Sequence, residues 1–130
     1  MNIFKVVMAG LALSLGSLAA FAHHSTNGIY NEETELELVG TVKEWRFINP
    51  HPTMTLEVDG VEWDVSYGGS AVAHLMRRGY TAETFKPGDR LRVRGFEAKI
   101  QTVKGLLIRG TPTKEDGSPV FEGAPTDGSL

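Results

Sequence analysis

The chain holds four histidines, His23, His24, His51 and His74, and no cysteine. Transition-metal chemistry would therefore run through nitrogen donors, because thiolate sites and disulfides are excluded. Nitrogen donors without thiolate suit Cu(II), which also heads the divalent affinity order. His23 is the most informative of the four because of what precedes it. Lys5 gives a short positive start, Val6–Leu18 is a 13-residue apolar run, and Ala20-Phe21-Ala22 is a small-x-small cleavage sequence. Those are the parts of a secretory signal, so residues 1–22 are expected to be removed on the way to the periplasm. Val6–Ala22 is short for a membrane span and no stop-transfer charges follow, so no stable span is expected after cleavage.

Cleavage after Ala22 makes His23 the first residue, with both an α-amino group and an imidazole. Their ordinary pKa values, ~7.7–8.0 and ~6.5, leave both easy to deprotonate near neutral pH. Together they chelate a metal in a small ring, and one further imidazole completes a three-nitrogen, T-shaped site, a histidine brace. His51 is the best second partner. It stands between Pro50 and Pro52, which hold its backbone extended. His24, the second residue, is the third candidate ligand. If Ala22 were retained, Ala22-His23-His24 would instead suit square-planar Cu(II) or Ni(II), but that cleavage leaves Phe21 at the last signal position. His74 falls opposite Val72 on an expected helix and is read as facing solvent.

The elements that must position these residues are mostly strands. Residues 23–35 are polar and read as an extended arm. Leu36, Leu38, Gly40 and Val42 share one phase and Trp45 and Phe47 the other, so the first strand is expected to bulge near Lys43-Glu44. Met54, Leu56 and Val58 mark a second strand; Val61, Trp63, Val65 and Tyr67 mark a third. Asp59-Gly60 between them is a strong hairpin signal. A helix follows, with Ser70 as its expected N-cap and Gly79 as its stop. Lys86-Pro87-Gly88-Asp89 is a turn. Leu91 and Val93 mark a fourth strand and Val103–Ile108 a fifth. After Thr111 the sequence is rich in Gly and Pro, with a short added strand expected at Val120-Phe121 and then a frayed end.

The expected organisation is a signal at 1–22, an arm at 23–35, a barrel at 36–111 and a tail at 112–130. The fold class is all-β with one short helix. Three strands, a helix and two strands match a five-stranded Greek-key barrel of the OB type, with another small barrel or a roll as the alternative. The expected core is Leu36, Val42, Trp63, Val65, Leu75, Val93 and Leu106. In that barrel His51 lies in the loop after the first strand, beside the usual binding face. With the strand starting at Leu36, however, the arm must double back along the barrel for His23 to meet His51.

Charge excludes one class of partner. The formal net charge of -3 includes Lys5, whose removal makes the mature chain more acidic still. Nonspecific binding to nucleic acid or an anionic membrane is not expected. Arg90, Arg92 and Arg94 form a stripe that reads as a solvated face, with Glu57, Glu62 and Asp64 available as partners. Ser25, Ser66, Ser70 and His51 form no nucleophile motif, and no enzyme activity is expected. The functional reading is a periplasmic copper (or other divalent metal) binder using His23, His51 and His24. The alternative is a non-metal module whose barrel mouth, Trp45–Thr53, takes a protein or small molecule.

Several of these segments also carry a resemblance. The His-His-Ser mature start, Trp45-Arg46-Phe47-Ile48-Asn49-Pro50-His51, Arg77-Arg78-Gly79-Tyr80 and Lys86-Pro87-Gly88-Asp89 together resemble a family of small exported bacterial proteins known only as a domain of unknown function. Tyr80 stands where that pattern more often has Trp. The resemblance covers nearly all of the mature chain. It implies export and an OB-like barrel, and no activity.

Overall fold

The computed structural model describes residues 28–100, 102–127 and 129. The elements run β1 (Tyr30–Arg46), β2 (Thr53–Val58), β3 (Val61–Ser66), α1 (Val72–Met76), β4 (Arg90–Ala98), β5 (Gly105–Ile108) and β6 (Thr113–Lys114). Hydrogen bonding orders the strands β1-β2-β3-β5-β4, and β4 pairs back to β1. The β3–β5 pair is parallel and the other pairs are antiparallel. This is the closed five-stranded barrel of the OB type, with β6 added beside β4. Among the described residues no helix is long and apolar enough to cross a membrane.

The 17 residues of β1 serve two neighbours. Glu35–Thr41 pair with β4, and Thr41–Arg46 pair with β2. One strand can do both only by bending, and two local features permit it. Gly40 lies against β2 so closely that a Cβ there would stand 2.5 Å from the Glu57 carbonyl oxygen. The register then slips between Val42 and Glu44, which is the expected bulge. Beyond it, Trp45 turns toward the interior. Asp59 and Gly60, at φ 50° and 79°, form the tight β2–β3 turn.

Val42, Leu56, Val65, Leu75, Leu91, Val93 and Leu106 are almost wholly buried, and Trp63 is nearly so. Leu36, expected in the core, is half-buried and packs against its edge. The apolar alternation of β2, β3 and β4 thus lines the barrel interior. Leu75 is the residue through which α1 closes one end.

Several boundaries differ from the expectations. β1 begins at Tyr30, not Leu36, because Tyr30 pairs with Ala98 and the Lys99 amide donates to the Ile29 carbonyl at 2.8 Å. Residues 31–34 swell out of register between two paired ends, which is why their sequence reads as polar arm. α1 is capped at Ala71, whose extended backbone accepts from the His74 and Leu75 amides, rather than by the Ser70 side chain. β5 starts at Gly105; Val103 lies in the preceding turn and is half exposed.

The tail differs most. Its strand is Thr113–Lys114, not Val120-Phe121. Gly117, at φ 84°, reverses the chain so that the Lys114 amide donates to the Ser118 carbonyl at 2.9 Å. Phe121 contributes its ring, edge-on to Tyr80 at 5.1 Å. Part of the stretch expected to fray is held: Ala124 is buried, and the Thr111 amide donates to the Ser129 carbonyl at 3.0 Å, although most of the described residues around Ala124 are exposed.

The arginine stripe also finds other partners than expected. Arg92 and Arg94 both bind Glu37, and Arg90 binds Glu115. Strand order explains this: β4 sits between β1 and β6, away from Glu57, Glu62 and Asp64.

Candidate functional site

The sites expected from sequence depend on one loop, residues 47–52, between β1 and β2. Its base is anchored by aromatic packing. Trp45 stands 5.3 Å from Tyr67 and 5.1 Å from Phe85, edge to face, and 5.5 Å from Phe47. Its indole N–H donates to the Thr81 carbonyl at 3.0 Å. The loop then passes a cis Asn49–Pro50 bond and reaches His51, which is exposed. Pro52 after it is fully buried and pins the return into β2. His51 is thus a solvent-facing imidazole between a rigid base and a buried proline.

Below this loop a cleft of about 450 Å³ opens on the barrel. Arg46 and Thr53, the residues flanking the loop, line one side of it. Ile29 and Tyr30 line it as well. The start and the end of β1 therefore meet at one cleft, because the strand coils around the barrel between them. Ile100 and Val103, from the β4–β5 connection, add an exposed apolar rim. Asp64 and Ser66 of β3 supply polar groups. This is the face bordered by the first and last inter-strand loops, where OB barrels hold ligands.

His23 and His24 lie outside the described residues. Among the described residues no three His, Asp or Glu side chains gather as a ligand set. His74 is exposed on α1, as expected. The sequence reading assigned the loop to the site but missed Ile29, Ile100 and Val103. Ile29 was absorbed into the polar arm, and a lone apolar residue in a turn carries no periodicity by which to place it.

A second group lies inside the barrel. Tyr67 and Tyr80 are buried, their rings 5.9 Å apart and edge-on. The two hydroxyls lie near each other, and that of Tyr80 also near Thr111, but among the described residues neither they nor the buried Nη1 of Arg78 completes a well-formed hydrogen bond. Burial pushes the Tyr67 phenol well above its ordinary value, and the neighbouring Tyr80 adds to the rise. Burial raises Tyr80 too, while the neighbouring Thr111 and Tyr67 hydroxyls, and then the Arg78 guanidinium, work the other way. Both phenols stay neutral at physiological pH.

Of the segments that carry the resemblance noted above, Trp45–His51 forms the end of β1 and the loop beside the cleft, whereas the His-His-Ser start lies outside the described residues. The family of unknown function DUF6152 matches residues 11–108. The chain belongs to that family. The DUF6152 match runs from the apolar N-terminal segment through the last residue of β5, so His23, His24, His51, the loop and the cleft all fall within it. β6 and the packed tail lie beyond it. No curated protein matches the chain.

Proposed function

We propose that this member of DUF6152 is an exported copper-binding protein that holds one Cu(II) between its N-terminal histidine and the loop of the barrel. The α-amino group and imidazole of His23 form the chelate ring, His51 supplies the opposing imidazole, and His24 is the adjacent auxiliary donor. The protein binds the ion without catalysing a reaction. Residues 1–22 are removed on export, and the protein works in the periplasm.

One observation carries this reading: Ile29 and Tyr30 line the same cleft as Arg46 and Thr53. It removes the difficulty posed by a first strand starting at Leu36. His23 precedes Ile29 by six residues, a reach of ~20 Å when extended. His51 precedes Thr53 by two residues, ~7 Å. Ile29 and Thr53, the lining residues nearest in sequence to His23 and His51, thus share one cleft, and the intervening chain is long enough to let both histidines reach a common ion. The exposure of His51 supports the same reading, since a ligand imidazole must present a free nitrogen.

Mass spectrometry of the protein recovered from the periplasm tests the premise. The reading requires His23 as the first residue. Any other first residue removes the chelate.

A second reading has its own support. The cleft's exposed rim of Ile29, Ile100 and Val103 suits an apolar portion of a small molecule or protein, with Arg46 and Asp64 orienting polar groups. Ile100→Asp separates the two. It abolishes an apolar ligand's binding and leaves Cu(II) affinity unchanged.

A further inference from the structure

A groove of about 290 Å³ runs along the outer side of β4, lined by Arg92, Arg94 and Arg109 and by the buried residues Thr111 and Thr113. Ion pairing accounts for only part of this arrangement. Among the described residues Glu37 is the one carboxylate on the groove's lining and pairs with Arg92 and Arg94, while Arg109 has Glu35 nearby at 3.8 Å. Arg94 Nε donates to Glu37 at 2.9 Å and Arg92 Nη1 reaches its other oxygen. One N–H of each guanidinium therefore converges on one oxyanion position, while Nη2 of Arg92 donates to the Glu115 carbonyl at 3.3 Å.

Arg109 is held differently. Its guanidinium lies over the Phe96 ring, 5.6 Å from the centroid. Its closest acid is Glu35 at 3.8 Å, too long for a hydrogen bond. A guanidinium held over a ring face keeps its in-plane N–H donors available to a ligand. The side chain is 64% exposed, so those donors are open to a ligand. A local excess of guanidinium on a chain of net charge -3 focuses small anions onto this face rather than over the whole surface. The Thr113 and Thr126 hydroxyls on the lining offer the short, neutral donors that complete the coordination of such an anion, whereas that of Thr111 faces the Tyr80 phenol.

We propose that this groove binds a small multivalent oxyanion, with Arg109 as the primary anchor and Arg92 and Arg94 as a clamp that Glu37 occupies when the anion is absent. Phosphate and polycarboxylates share this chemistry. Binding displaces the Glu37 carboxylate from part of its clamp, so Glu37 acts as an internal competitor.

Calorimetric titration of the full chain at low ionic strength tests it, with inorganic phosphate in one arm and citrate in the other. The tighter arm identifies the source. Expected is one saturable site, weakened at least tenfold by Arg109→Gln and tightened several-fold by Glu37→Gln. Lys104→Gln should change nothing, because Lys104 pairs with Glu97 and lies over Trp63, away from the groove. Melting curves verify that each variant is folded. If Glu37→Gln fails to fold, the Arg109→Gln result decides alone. Absence of saturable binding in both arms overturns the proposal. So does Arg109→Gln binding within twofold of the parent, or an equal loss in Lys104→Gln.

Discussion

Trp45 donates its indole N–H to the carbonyl oxygen of Thr81 at 3.0 Å. This bond ties the end of β1 to the segment between α1 and β4, and so fixes the base of the loop that carries His51. Trp45→Phe keeps a ring against Tyr67 and Phe85 but loses the bond, at a cost of about 1 kcal/mol. Trp45→Ala also loses the ring contacts and should cost clearly more. Urea denaturation of the two variants measures the difference. Equal midpoints would show that the bond, and not the packing, is the anchor.

Gly95 is the most closely approached of the described glycines. A Cβ there would stand 2.2 Å from the Leu107 carbonyl oxygen, which is backbone and cannot swing aside. Gly95→Ala should cost about 3 kcal/mol through overpacking. Gly60→Ala meets open space, but φ is 79°, and it should cost about 1–3 kcal/mol as backbone strain. Gly69→Ala, with open space and no positive φ, should be near neutral. Thermal melts rank the three, and a Gly95→Ala protein as stable as Gly69→Ala contradicts the closeness of β4 to β5.

Much of this wall was legible in the sequence. Period-two alternation gave β2, β3 and β4 and their core residues because each has one face on the interior. The phase slip gave the bulge at Lys43 because side-chain phase and register are one quantity. The first residues of β1 were not legible. Residues 31–34 leave the ladder, so Tyr30 is cut off from the alternation that follows it. The tail strand was hidden for a related reason: two residues are too few to show a period, and Val120-Phe121 packs through side chains instead. The loop bearing His51 could be found from its prolines, whereas the cleft beneath it depends on the coiling of β1, which no local pattern encodes.

Stability should fall in strong alkali for a stated reason. Tyr67 and Tyr80 are held protonated by burial, with folded values above their ordinary value of 10.0. Above that pH the unfolded chain releases protons that the folded chain retains, so the unfolded state is favoured as pH rises. The contribution is complete below about pH 10 and is lost progressively above it. Urea midpoints at pH 8 and pH 11 should therefore separate. Tyr67→Phe should narrow that separation, since it removes the ionisation and keeps the ring. An unchanged separation would mean that the buried phenols do not govern the alkaline limit.

At the other limit, Glu37 carries a carboxyl held below its ordinary 4.5, chiefly by hydrogen bonds from Arg94 and then Arg92. Its stabilisation is present above about pH 4.5 and is lost as pH falls through the lower folded value. Glu37→Gln should flatten the dependence of stability on pH below that point. An equally steep acid limb in Glu37→Gln would show that the arginine clamp does not contribute to it.

His51 is exposed, so its loss should leave the melting temperature of the metal-free protein unchanged, while Trp63→Ala, in the core, should cost about 3–5 kcal/mol. This contrast separates a ligand from a structural residue before any metal is added. A sharp fall in the melting temperature of metal-free His51→Ala would assign His51 to the fold.

Copper titration by calorimetry, with free copper buffered, is the most direct measurement. It compares protein beginning at His23, the same protein with one residue added before His23, His51→Ala and His74→Ala. The parent should bind one Cu(II), more weakly as pH falls through the histidine range, because protons compete for the same nitrogens. The added residue should weaken binding most, since it takes the α-amino group out of the chelate. His51→Ala should weaken it less, and His74→Ala should leave it unchanged. Equal affinities across the four proteins would contradict a copper site built on His23 and His51.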